Sequence, residues 1–123
     1  AGGLRIGTWG YQILEELEPA AADWRIHKNR LSAFYGTNLE LLLRGLGVRT
    51  VLVVGVLTNQ CVAATSKDAY YRDIKPIVVE EATGTTLPHL HAPAIEMIQV
   101  GWGAVHSLTE TLTNLEALGI PNR

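Results

Sequence analysis

Cys61 is the only cysteine in the sequence, and it stands where a reactive group is easily built. Before it runs Thr50-Val51-Leu52-Val53-Val54-Gly55-Val56, aliphatic and β-branched without a break; after it, Cys61–Tyr71 has no Gly or Pro and reads as a helix. The thiol therefore lies at a strand-to-helix junction. A thiol is a nucleophile only as its thiolate, and the first turn of a helix offers unpaired N–H groups and a positive dipole end that stabilise an anion. The same groups could hold a developing oxyanion. Residue type alone leaves a second reading open, because a free cysteine is commonly a small buried hydrophobe.

Lys28 is the second candidate. In Asp23-Trp24-Arg25-Ile26-His27-Lys28 the alternation puts Trp24, Ile26 and Lys28 on one side of a short strand, with Lys28 at its carboxyl end. His27 and Arg30 flank it and face elsewhere. In open α/β sheets, ligands bind outside the carboxyl ends of the strands, so Lys28 and Cys61 are expected on one rim. An ammonium there stabilises a thiolate and can relay a proton to a leaving amine.

The elements that must position this pair follow from periodicity. The unbroken run before Cys61 suits a strand covered on both faces of a parallel sheet. Upstream, Thr8 caps a short helix through Glu18, with Ile13, Leu14 and Leu17 on one face and Pro19 at its end. Arg30–Tyr35 is a loop broken by Gly36, and Thr37 or Asn38 caps a helix whose Leu39, Leu42, Leu43 and Leu46 share a face. Downstream come a strand Ile77–Glu80, a polar loop Glu81–Leu87, and a helix with Pro93 in its first turn and Ile95, Met97 and Ile98 on its buried side. A strand Ala104–Leu108 and a helix Thr111–Leu118 close the pattern, while Ala1–Gly7 reads as a loop or a cut end. Strands alternating with helices predict an α/β fold, a three-layer α-β-α sandwich around a mainly parallel, Rossmann-like sheet, as one domain over residues 1–123.

Composition narrows the function classes. A chain of 123 residues with 47% hydrophobic and 18% charged content is long enough for one core, and its formal charge of −2 gives no electrostatic case for nucleic acid or an anionic membrane. No apolar run approaches a membrane span, and a lone cysteine suits a reducing cytoplasm, so a cytoplasmic location is expected. Phe34, Tyr35 and Trp9 could line an apolar pocket beside Cys61, although aromatics next to a sheet are more often core. Asn59 is most simply a helix cap, and its place beside Cys61 also allows a substrate contact. His89 and His91 lack a third ligand and read as a polar loop, so no metal is expected.

With these residues in place, the sequence resembles the isochorismatase-like cysteine hydrolases, which include nicotinamidases, N-carbamoylsarcosine and ureidoacrylate amidohydrolases, and isochorismatase. The matching blocks are Gly7-Thr8, Leu17-Glu18-Pro19, Lys28-Asn29-Arg30-Leu31-Ser32-Ala33-Phe34, Gly36-Thr37-Asn38-Leu39, and Gly55-Val56-Leu57-Thr58-Asn59-Gln60-Cys61-Val62 continued by Thr65, Asp68 and Ala69. The resemblance implies hydrolysis of a non-peptide C–N bond in a small amide, carbamoyl or ureido substrate, without a cofactor, through an Asp–Lys–Cys triad and a thioester. Cys61 would be the nucleophile, Lys28 the triad cation, and the N–H groups of Leu57 and Cys61 the oxyanion hole. It further implies a cis bond at Val56–Leu57 and a homo-oligomer, with a small molecule as the partner.

One member of the triad has no match. The family's aspartate lies on a first strand upstream of anything in this sequence, and Asp23, Asp68 and Asp73 are expected to be structural or solvated. The chain is accordingly expected to be incomplete at its amino-terminal end, or to lie beside another copy. The alternative reading is a non-catalytic module of the same fold, a pseudoenzyme or an assembly subunit.

Overall fold

The computed structural model describes residues 4–120, so Ala1–Gly3 of the opening loop and Pro121 lie outside the described residues. Its centre is a parallel sheet of β1 (Thr50–Val56), β2 (Lys75–Gly84) and β3 (Ala104–His106), in that spatial order. Each crossover is helical: α2 (Ala63–Tyr70) links β1 to β2, and α3 (His91–Gly101) links β2 to β3. Helix α1 (Leu39–Gly45) precedes the sheet and α4 (Leu108–Ala117) follows it. The α/β architecture with helices on both sides of a parallel sheet is the one expected from the alternation of patterns.

The alternation of side chains along β1 and β2 divides the core between the two faces. On one face, Val62, Val78, Ile95 and Ile98 form a buried cluster with Val53, Ala63, Trp102 and Val105 against it. On the same side Phe34, Ala69 and Ile74 are buried with Leu39, Leu43 and Val51. Fully burying one such aliphatic side chain is worth about 1.5–3 kcal/mol, so these clusters fix α2 and α3 on the sheet. On the other face α4 lies against β2, where Val79 and Thr111 are buried.

Helix α4 does not extend over β1. Leu52, Val54 and Val56 are consequently 41%, 57% and 68% exposed, and the strand expected to be covered on both faces is covered on one. An uninterrupted apolar run signals a strand able to be buried twice, and among the described residues no element covers the second side.

Five further expectations are corrected. Trp24–Lys28 forms no strand, because the segment finds no ladder partner among the described residues. The helix expected from Thr8 to Glu18 is two separate 3₁₀ turns, Trp9–Tyr11 and Glu15–Leu17, with Gln12 and Leu14 extended between and beside them. Its apolar face meets nothing that would bury it, since Ile13, Leu14 and Leu17 are all exposed, and so short a helix is marginal without packing. The loop expected at Glu81–Leu87 is strand as far as Gly84, because Thr83 and Gly84 pair with Gly55 and Val56 beyond a register shift. Met97 and Leu46 are exposed, while Ile95 and Ile98 are buried as their spacing predicted. At the carboxyl end, Ser107 accepts a hydrogen bond from the Glu110 N–H at 3.1 Å, so α4 starts at Leu108 and β3 stops at His106.

Candidate active site

The site is built where β1 ends. The Val56–Leu57 peptide bond is cis, and the chain then enters a π-helical turn, Thr58–Val62, before α2 begins. The Leu57 carbonyl accepts from the N–H groups of Gln60 at 3.1 Å and Val62 at 3.2 Å, the second closing the wider ring that defines a π turn. Cys61 thus sits in a π turn, not in the first turn of an α-helix as expected, and its thiol is half-buried at the carboxyl end of the sheet.

Lys28 reaches that thiol from an irregular segment. Its Nζ donates to Cys61 Sγ at 3.3 Å and to the Arg30 carbonyl at 3.0 Å, which aims an otherwise exposed ammonium at the sulfur. The neighbouring side chains turn elsewhere. The ring of His27 stacks on Tyr11, with Nδ1 2.6 Å from the tyrosine hydroxyl, and Arg30 Nη1 donates to the Asn29 carbonyl at 2.8 Å. The spacing of Lys28 and Cys61 therefore brings them together even though the strand meant to carry Lys28 does not form.

Side-chain hydrogen bonds brace the π turn and the start of α2 from two directions. On the Lys28 side, Thr65 Oγ1 accepts from the Ala33 N–H at 3.0 Å, and Thr37 Oγ1 donates to the Ala33 carbonyl. Next to Ala33, Phe34 is inserted in the core and its N–H is taken by Ser32 Oγ at 3.1 Å, while Gly36 turns the chain at φ +66°. On the β2–α3 side, the wholly buried Thr58 has its Oγ1 2.9 Å from His91 Nδ1, and Asn59 Oδ1 accepts from Thr85 Oγ1 at 2.7 Å. Asn59 is therefore a strut to the β2–α3 connection, not a helix cap. His91 and Thr85 as supports of the π turn were not foreseen; polar residues in a loop and at the start of a helix carry no periodic signal that would have marked them.

The three aromatics do not share one pocket. Phe34 is 5% exposed in the core with the Arg72 guanidinium 4.9 Å above its ring, because the turn at Ser32–Gly36 drives it inward. Tyr35 lines a shallow, open depression with Arg30, Leu31, Ser32 and Asp68. Trp9 is 84% exposed in a separate groove beside Gln12 and Ile13.

Asp23, Asp68 and Asp73 serve local structure. Asp23 Oδ2 accepts from the Ala20 N–H at 2.8 Å, Asp68 lies 3.5 Å from Arg72, and Asp73 holds a left-handed turn at φ +57°. Among the described residues, Lys28 makes no ion pair with a carboxylate, no group of three metal-ligating side chains converges, and no helix is long and apolar enough to cross a membrane. Glu40 bridges Arg44 at 3.0 Å and Arg72 at 2.7 Å, away from the thiol; the hydrogen bond from Arg44, then that from Arg72, holds its carboxyl below the usual range.

Residues 1–111 match the family model of the isochorismatase domain. The sequence is 37% identical over 122 residues to the ureidoacrylate amidohydrolase RutB of Methylorubrum extorquens, an alignment covering 96% of this chain and 49% of that protein. It spans about half the length of the curated relatives it matches. In structure it is similar to an isochorismatase-like hydrolase from Alkaliphilus metalliredigens, with a TM-score of 0.84 at 30% identity over 88% of this chain and 60% of that one. It is similar also to N-carbamoylsarcosine amidase from Thermoplasma acidophilum, with a TM-score of 0.74 at 32% identity over 82% and 57% of the two chains.

Proposed function

The chain belongs to the isochorismatase family, and from that premise we propose that the protein is a cysteine hydrolase that cleaves a C–N bond in a small amide, carbamoyl or ureido compound. The observation that carries this reading is the Lys28 ammonium 3.3 Å from the Cys61 sulfur at the carboxyl end of β1. Two relatives named for ureido and carbamoyl substrates support the substrate class.

In the proposed reaction the Cys61 thiolate attacks the substrate carbonyl carbon, and the carbonyl electron pair moves onto oxygen. The N–H groups of Leu57 and Cys61 hold that oxyanion. As the pair returns, the C–N bond breaks and the nitrogen leaves as ammonia or an amine, taking the proton that the thiol gave up and that Lys28 relays. A thioester remains on Cys61. Water then adds to its carbonyl, loses a proton, and displaces the sulfur. The carboxylate that would accept this proton and partner Lys28 has no counterpart among the described residues, so the proposal assigns it to a segment beyond this chain or to a second copy.

The test is ammonia release from a panel of small amides, carbamoyl and ureido compounds. Cys61→Ala is expected to lower turnover by about a thousandfold or more, the scale of losing a nucleophile that acts as one unit with its base. Full activity in that variant would end the proposal.

A further inference from the structure

Thr65 lies one helical turn beyond Cys61, on the same side of the helix, and it accepts the Ala33 N–H at 3.0 Å. Lys28 lies five residues before Ala33 and donates to Cys61 itself. The irregular segment and the helix are thus joined by two rungs about one turn apart: Lys28 to Cys61, and Ala33 to Thr65. The second rung is the better buried, and it has no regular structure to replace it, because residues 24–35 belong to neither strand nor helix. Both polar groups of the Ala33 backbone are taken by threonine hydroxyls, the N–H by Thr65 and the carbonyl by Thr37. The bond to Thr65 fixes the height of Ala33 along the helix, and the bond from Thr37 holds the next peptide unit. Phe34, buried beside it, prevents the segment from rolling.

We infer that Thr65 is a positioning residue: its hydroxyl sets the distance between the Lys28 ammonium and the Cys61 sulfur by anchoring the Ala33 peptide. This rests on the reading of Lys28 and Cys61 as a working pair. Among the described residues Thr65 hydrogen-bonds to the Ala33 N–H and not to the sulfur or the ammonium, so its influence on the pair is routed through the segment. Removing the hydroxyl frees the Ala33 N–H from α2, leaving the exposed rung and the Phe34 side chain to hold the segment, and the ammonium spends less time at the sulfur.

The experiment uses the single cysteine as its own reporter. Alkylation by iodoacetamide is followed by intact mass at neutral pH for the native protein, Thr65→Val, Thr65→Ser, Lys28→Met and the double variant Lys28→Met/Thr65→Val. Valine keeps the shape and deletes the acceptor, whereas serine keeps the acceptor. The expected result is slower alkylation in Thr65→Val by about fivefold, the scale of one net hydrogen bond, with near-native rates in Thr65→Ser. In the Lys28→Met background, Thr65→Val should add nothing, since an effect that travels through Lys28 disappears with it. Equal slowing by Thr65→Val in both backgrounds would overturn the inference, as would native alkylation in Thr65→Val. Native alkylation in Lys28→Met would remove the pair itself, and with it both the parent reading and this one. Far-UV circular dichroism on every variant separates these outcomes from unfolding; if Thr65→Val does not fold, a slow Thr65→Ser would overturn the inference and a native-like one would uphold it.

Discussion

The two flanks of the π turn are built by different means. Toward the β2–α3 connection, Thr58 is buried against His91, Asn59 is tied to Thr85, and Val62 enters the cluster of Val78, Ile95 and Ile98. Toward residues 24–35, an exposed lysine is aimed by the Arg30 carbonyl, and its segment is pinned at Ala33 by Thr65 and Thr37. The first flank is held by sheet, helices and core, so disturbing it should cost stability. The second has one core residue, Phe34, and is otherwise held by isolated hydrogen bonds, so disturbing those bonds should cost chemistry first. The nucleophile is placed by the fold and the cation by a local tether, which makes the cation the more easily displaced of the two.

The largest effect that could sharpen this contrast comes from the core. Ile98 is fully buried beneath the first flank, and Ile98→Ala is expected to destabilise the protein by about 2–5 kcal/mol, read by urea denaturation. The alkylation rate of Cys61, measured well below the denaturation midpoint, should change little. A marked fall in that rate at unchanged stability would break the contrast.

A smaller effect lies closer to the thiol. Thr58→Val removes the hydroxyl that meets His91 Nδ1, and the loss of one buried hydrogen bond should cost about 1 kcal/mol of stability. His91 is partly exposed and can turn its ring nitrogen to water, which limits the cost. Alkylation should slow less here than in Thr65→Val. If Thr58→Val slowed it as much, the two flanks would not differ in kind.

The same contrast explains what could be read before the fold was known. β1 and the Ile95/Ile98 face of α3 were readable because an apolar run or an apolar helical face reflects burial, and burial is what folds them; the helix after Cys61 was readable because no Gly or Pro interrupts it. Lys28 and Cys61 were found through their residue types and their resemblance to a family motif, and Lys28 reaches its place without the strand expected beneath it. Residues 8–18 misled because a helical pattern of apolar residues was present without a surface to bury it. The extension of β2 to Gly84 was hidden by polar composition, since it is set by pairing with Gly55 and Val56 and not by its own side chains. The struts Thr65, Thr85 and His91 act one hydrogen bond at a time, across 26 to 33 residues of sequence, and no local pattern encodes them.

The smallest expected effect belongs to a region outside both flanks, and it serves as their control. Glu40 joins α1 to the end of α2 by accepting from Arg44 and Arg72, and these partners hold its carboxyl below the usual range. A carboxyl whose folded value is lowered contributes stability above its unfolded value and loses that contribution as pH falls through the folded one. Glu40→Gln should therefore melt slightly below the native protein at neutral pH, and the gap should close on acidification through and below the usual carboxylate range. Both ion pairs are at least partly exposed, so added salt should narrow the gap as well. Alkylation of Cys61 should match the native protein throughout. A Glu40→Gln variant whose deficit grows on acidification would assign the stabilisation to something other than the carboxylate's charge, and one with slowed alkylation would show that the Lys28 segment is held through Arg72 and Phe34 as well as through Thr65.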